Sequence, residues 1–356
     1  MLYSLWIVLG QTMAMANGRI GAGGVAFAAA YAVTAFVGFY VIPAFLSQEG
    51  RLNQVLKALL YIGTIVSLSG LFVNLTGAKS FMGITLLLDK EVPLFHLPGS
   101  TGFLHEFNIY GLTAGLGFWG ACYFLVQKRK LSHIVAAGIC LVAVFFAGSR
   151  AIYLAVAVGI VVLFKPFRTR WTTRLLFGTA VLGGVVLGLY IAFGTEWGGK
   201  LLGTDAGLTR LSAGRTVLWP SAVFAIFDQP LYGYGFAGSA SKAAVLNHGA
   251  SILYNEPVPA HNAFLDISLR GGALLAIFYV AAVWRSMRRL AKVTAAAATY
   301  GEKMRSRIVS IILVTVFLSA MFMPHSLGGI GYVSLVLTTF AGIANLWPEL
   351  KVYSES

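Results

Sequence analysis

This 356-residue sequence predicts an all-α fold, a polytopic helical membrane protein of about ten transmembrane helices whose large outer loop forms a small helical cap. Three observations carry that prediction. The chain is 58% hydrophobic and only 11% charged, whereas a soluble domain has about a quarter of its residues charged. Its apolar residues come in long blocks rather than in short alternating strands. Its basic residues collect in alternate loops, which is how a membrane protein fixes its orientation.

A helix needs about 20 residues to cross the hydrocarbon core. The candidate spans, in order, are 1–16, 20–46, 54–76, 107–126, 131–147, 151–164, 174–193, 261–284, 308–323 and 326–347. The block at 20–46 is long, which implies tilt. The first block has no basic segment before it, so it reads as a span and not as a cleaved signal peptide. Cys122 and Cys140 lie inside apolar blocks, form no CxxC pair and read as small core residues. Gly21-Ala-Gly-Gly24 precedes a span and reads as a helix-packing face.

Orientation follows from the loops. Arg51 and Lys57 fall in one set of alternate loops, as do Lys128 to Lys130, Lys165, Arg168, Arg170 and Arg174. The same set holds the run from Arg285 to Arg307, and with Lys351 it contains seventeen of the 26 basic residues. The positive-inside bias puts this set and both termini in the cytoplasm. It also accounts for the net charge of +14. No folded basic domain, aromatic-basic surface or zinc spacing points to nucleic acid. The outer side then consists of 77–106, the turn Gly148-Ser149-Arg150 and 194–260. The last of these holds Trp197, Trp219, Tyr232, Tyr234 and Tyr254, which is too aromatic for a disordered loop. A folded cap on one integral membrane domain, 1–356, is expected, with 194–260 carrying part of the active site.

Most residues suited to chemistry face that outer side. Arg150 stands between two apolar helices where the positive-inside bias disfavours it, which points to a polar cavity; snorkelling to headgroups is the plainer reading. Arg215 precedes Trp219 by four residues, and Pro220 predicts that a helix begins near Trp219 and runs to about Phe227, with Arg215 in the loop before it. Val223, Ile226 and Phe227 would form its apolar stripe at the membrane interface. His261 opens a span, where the positive helix end and nearby arginines disfavour imidazolium and leave the neutral base; the plainer reading is a helix cap. Asn262 suits a helix start. Asp266 and Arg270, spaced i, i+4, read as a self-satisfying pair, with Asp266 able to orient His261. Gly271-Gly272 reads as close helix packing.

Five of the six histidines (His96, His105, His248, His261 and His325) fall on the outer side, where Glu91 or Glu106 could add to them. No HExxH or other tight ligand spacing is present, so no catalytic metal and no cofactor is expected. Two arginines and a neutral histidine suit another chemistry. Guanidinium groups hold phosphate oxygens in a bidentate fork and stabilise a departing diphosphate. The imidazole takes a proton from an attacking hydroxyl. Nucleotides are scarce outside the cytoplasm, so a glycan on a lipid diphosphate is the donor that fits.

The order of these motifs resembles the bacterial O-antigen ligase and polysaccharide polymerase superfamily. The resemblance runs from about Glu106 to Trp284. It comprises Glu106-Phe-Asn108-x-x-Gly111, Gly148-Ser149-Arg150, Gly214-Arg215-x-x-x-Trp219, Asp228-x-Pro230-Leu-x-Gly-x-Gly235 and His261-Asn262-x-x-Leu265. It implies a metal-independent membrane glycosyltransferase of the bacterial inner membrane, working on the periplasmic side. The donor would be an undecaprenyl-diphosphate-linked glycan. The acceptor would be lipid A-core, another glycan or another hydroxyl, with inversion at the anomeric centre. By motif position, Arg150 and Arg215 would bind the diphosphate and His261 would be the base or would position the acceptor. Asn108 and Tyr234 would support the site. Family members often have about twelve spans, so the difference is expected at the N-terminal end. A transporter or flippase is the alternative from another class, but it predicts polar mid-membrane helices and matched broken helices, and the polar weight here is in the outer loops. A non-catalytic scaffold would tolerate loss of Arg215 and His261.

Overall fold

Lipid offers no partner for a backbone N–H or C=O, so an apolar block of membrane length satisfies its own backbone as a helix. The computed structural model describes residues 2–18, 20–46, 51–77, 80–81, 84–85, 90–92, 97–99, 101–104, 106–163, 215–236, 239–320 and 332–352. Its first helices are α1 (Leu2–Ala16), α2 (Ala22–Leu46), α3 (Arg51–Thr76), α4 (Phe107–Gln127), α5 (Leu131–Phe146) and α6 (Arg150–Leu163). After the cap come α9 (Ala263–Gly271), α10 (Ala273–Ala296), α11 (Tyr300–Ala320) and α12 (Tyr332–Val352). The predicted span 174–193, the loop from 194 to 214, and His96, His105 and His325 lie outside the described residues.

Among the described residues α2, α3 and α4 are long and apolar enough to cross a membrane, and α1, α5, α6 and α12 contain shorter apolar helices. The count of ten is therefore met only in part. Val33, Ile65 and Leu75 lie on outward faces, with Leu75 87% exposed, as expected of surfaces that meet lipid rather than water. The loop 77–106 departs from an all-helical chain in two short antiparallel pairs, Ser80–Phe81 with Ile84–Thr85 and Lys90–Val92 with Leu97–Gly99.

The main core is built around α4, whose Tyr110, Trp119 and Tyr123 are buried. It packs between α3, α5 and α11. The approach to α3 is at backbone distance: a Cβ on Gly63 would collide with Gly117 Cα. Trp119 Nε1 donates to Thr315 Oγ1 (3.1 Å), fixing α11 against α4.

The cap has its own core. α7 (Arg215–Asp228), α8 (Ser239–Asn247) and the 3-10 turn Ala250–Ile252 bury Leu218, Ala222, Ala225, Ala244, Val245 and Ala250 together with Ala260 and Leu269. Here the sequence expectation is corrected. α7 begins at Arg215 and runs through Pro220. Proline removes one bond, to Thr216 O near the helix start, and burial of Leu218, Ala222 and Ala225 on α8 and α9 outweighs that loss. Val223 and Phe227 are exposed as expected, but Ile226 turns onto the cap core and Phe224 takes its place outside.

The predicted span 261–284 is not continuous. It breaks at Gly272, whose φ of +85° only glycine adopts readily, and a Cβ there would collide with the Leu231 carbonyl. The segment Pro230–Phe236 takes up the backbone groups freed at the break. Tyr234 N donates to Leu269 O (2.6 Å), Gly235 N to Arg270 O (3.0 Å), and Ala273 N to Pro230 O (2.7 Å). Gly271-Gly272 thus serves a helix break held against a loop rather than a helix–helix contact.

Candidate active site

Two groups of residues carry the site. The first sits where α4 starts. Glu106 caps the helix: its Oε1 accepts from Asn108 N (3.2 Å) and Asn108 Nδ2 (2.7 Å), and its Oε2 from Ile109 N (2.7 Å). With its amide nitrogen engaged, Asn108 turns its Oδ1 to Ser149 Oγ, which donates at 2.7 Å. Ser149 is buried, and its own carbonyl accepts from Ile152 N and Tyr153 N, both 3.1 Å, in the first turn of α6. Arg150 is the first residue of α6. The chain Glu106–Asn108–Ser149 therefore locks the backbone turn before Arg150 against the start of α4.

The second group joins α7 to α9. Arg215 opens α7, and Trp219 follows one turn later on the same face. Trp219 Nε1 donates to Ala260 O (3.1 Å), so the indole grips the residue before His261. His261 has φ +51°, and among the described residues it is the one non-glycine with positive φ. Such a conformation in a bulky residue is held by its surroundings and marks functional sites more often than chance. Asn262 is the helix cap: its Oδ1 accepts from Phe264 N (3.0 Å) and Leu265 N (3.2 Å). Capping therefore falls to Asn262, not to His261. Asp266 pairs with Arg270, Oδ2 to Nε 3.0 Å, as the spacing predicted. Arg270 Nη1 also donates to Tyr31 Oη (3.1 Å) and to Phe236 O (3.2 Å), so the pair ties α9 to α2 and to the loop Pro230–Phe236.

Tyr234 belongs to that loop. Its hydroxyl donates to Ala225 O (3.0 Å), and burial together with the charge of Asp228 holds its pKa above the ordinary phenol value. It is a protonated brace between α7 and α9. Gln11 was not singled out from the sequence. It is buried in α1, and its Nε2 donates to Tyr232 O (2.8 Å) and Arg270 O (3.3 Å). A lone glutamine in an apolar block was its only signal. His248, counted only among the outer histidines, pairs with Asp228 (2.6 Å).

The two groups connect through α11. Phe264, two residues into α9, packs edge-on against Phe317 at 5.2 Å, near the end of α11. The Trp119–Thr315 bond joins the same stretch of α11 to α4.

The family model for O-antigen ligase matches residues 135–280. Those residues carry the O-antigen ligase superfamily's signature. The matched O-antigen ligase segment contains Arg150, Arg215, Tyr234, His261, Asn262 and Asp266; Asn108 precedes it and joins it through Ser149. No curated protein matches the chain. The apolar spans make this an integral membrane protein, and the match likens its residues 135–280 to the O-antigen ligase family.

Proposed function

We propose that the chain transfers a glycan from an undecaprenyl diphosphate carrier to an acceptor hydroxyl, on the outer face of the bacterial inner membrane. The acceptor oxygen attacks the anomeric carbon and the bond to the carrier diphosphate breaks. His261 takes the acceptor proton. Arg150 and Arg215 hold the diphosphate and stabilise the charge it gains on leaving. No metal or nucleotide is needed in this scheme, and attack opposite the leaving group inverts the anomeric centre. Asn108 positions Arg150 through Ser149, and Trp219 positions His261 through Ala260.

The observation that carries this reading is the Trp219–Ala260 bond. It couples the helix face bearing Arg215 to the strained backbone of His261. Ligase and polymerase differ only in acceptor, and ligase is the reading adopted. The test is complementation of a host lacking this gene, with lipid-linked and surface glycans separated on a gel. A ligase leaves long chains on the carrier when absent and moves them to the acceptor when restored. A ladder collapsed to one repeat unit on the acceptor would assign polymerase instead. A wild-type ladder in hosts complemented with Arg215→Ala and with His261→Ala would return the transporter or scaffold reading.

A further inference from the structure

At the end of the bundle opposite the site, α3, α4 and α5 enclose a cleft of about 320 Å³. Phe124, which lines it, is sixteen residues along α4 from Asn108, or about 24 Å at 1.5 Å per residue. The cleft volume is at the small end of ligand sites, which span about 300–1,000 Å³. It suits a headgroup better than a whole lipid.

The lining is divided by chemistry. Lys57, Tyr61, Ser132 and His133 supply polar groups, over an apolar floor of Leu60, Phe124 and Ala136. The Lys57 ammonium lies 5.7 Å from the centre of the Tyr61 ring. His133 Nδ1 is within 3.2 Å of Lys128 O, which holds the ring at the mouth. Lys128, Arg129 and Lys130 form the loop beside that mouth and are exposed. Lys130 caps α5 by backbone position and makes no side-chain bond to it, so the positive end of α5 adds to the field. No acidic residue occurs in α3, in α4, in α5 or in this loop. Around the cleft, Ile65, Leu131, Ile134 and Val135 are exposed apolar side chains, with Leu131 at 73%. A basic, hydroxyl-bearing notch open to a lipid-facing apolar surface is the form of a phospholipid headgroup site.

We propose that this cleft binds an anionic phospholipid, with its phosphate between Lys57 and the Lys128–Lys130 loop and its acyl chains along α3 and α5. The site is separate from the transfer chemistry and rests only on the chain being in a membrane. Its function is to seat the basic end of the bundle in an anionic leaflet.

The test uses the full chain, purified in neutral detergent and stripped of lipid. Phosphatidylglycerol, phosphatidylcholine and inorganic phosphate are titrated separately, with retained lipid counted by native mass spectrometry and melting followed in parallel. Phosphatidylglycerol should be retained and should raise the melting temperature, while phosphatidylcholine should do neither. Lys57→Gln and Lys128→Gln, both at exposed positions, should each weaken retention roughly fivefold. Equal retention of the two lipids, or wild-type binding by both variants, would overturn the proposal. A melting rise with inorganic phosphate as large as with phosphatidylglycerol would assign the cleft to a free anion and overturn the lipid.

Discussion

Where α3 crosses α4, Gly63 and Gly117 bring two backbones together and the contact is made by shape. Where α7 meets the chain entering α9, Trp219 and Tyr234 instead pass an N–H and an O–H to the carbonyls of Ala260 and Ala225. The α3–α4 crossing is thus closed by the absence of side chains and the α7–α9 junction by polar staples. A shape contact fails abruptly when volume is added. A stapled contact weakens bond by bond. The proposed site draws residues from both regions, so its rigid half and its adjustable half should respond differently to substitution.

The largest effect is expected in the bundle. Gly63→Val should cost about 3 kcal/mol or more and remove the folded species on gel filtration in detergent; a normally melting variant would refute the shape contact. Next is the joint between the regions. Asn108→Ala removes the bonds to Glu106 and Ser149 and should cost about 2 kcal/mol, slowing transfer because the Arg150 turn is loosened. Glu106 still caps the helix, so the folded yield should hold, and unchanged turnover would count against the positioning role. Within the cap, Trp219→Phe keeps the ring and loses one bond. About 1 kcal/mol of stability should go, and kcat should fall more than KM changes, because His261 is displaced rather than removed. A pure loss of stability with kcat intact would make Trp219 structural only.

The smallest effect is a pH dependence. His248 has its pKa raised, first by the bond to Ala244 O; burial opposes this, and the hydrogen bond and charge of Asp228 add to the rise. A raised folded value means the stabilisation is complete below the unfolded value of about 6.5 and is lost as pH rises through the folded value. Asp228 is 60% exposed, so solvent screening keeps the contribution under about 1 kcal/mol. Wild type should lose its small advantage over Asp228→Asn as pH rises from below about 6.5 through the raised folded value, read as converging melting temperatures. A constant gap would place the benefit elsewhere.

The same contrast explains what was legible in the sequence. Lipid imposes one rule on every residue of a span, so α1 to α6 follow the apolar blocks to within a few residues. The motifs containing Arg150, Arg215 and His261 were readable by order, but the packing of α9 on α11 through Phe264 and Phe317 was not. The break at Gly272 was not readable, because a glycine needed for positive φ looks the same as one needed for packing. The start of α7 was misplaced because Pro220 obeys a local rule that burial of Leu218 and Ala222 overrides. Gln11 and the His248–Asp228 pair act across 221 and 20 residues, distances no local pattern encodes.

The central claim is that Arg215 and His261 perform the transfer from opposite sides of the Trp219–Ala260 bond. The most direct measurement follows transfer from a lipid-diphosphate glycan by purified wild type, Arg215→Ala and His261→Ala, each first matched for melting temperature. Each substitution should lower the rate by about 100-fold or more, with Arg215→Ala leaving the donor uncleaved. Rates within a few-fold of wild type for both variants, in folded protein, would contradict the account.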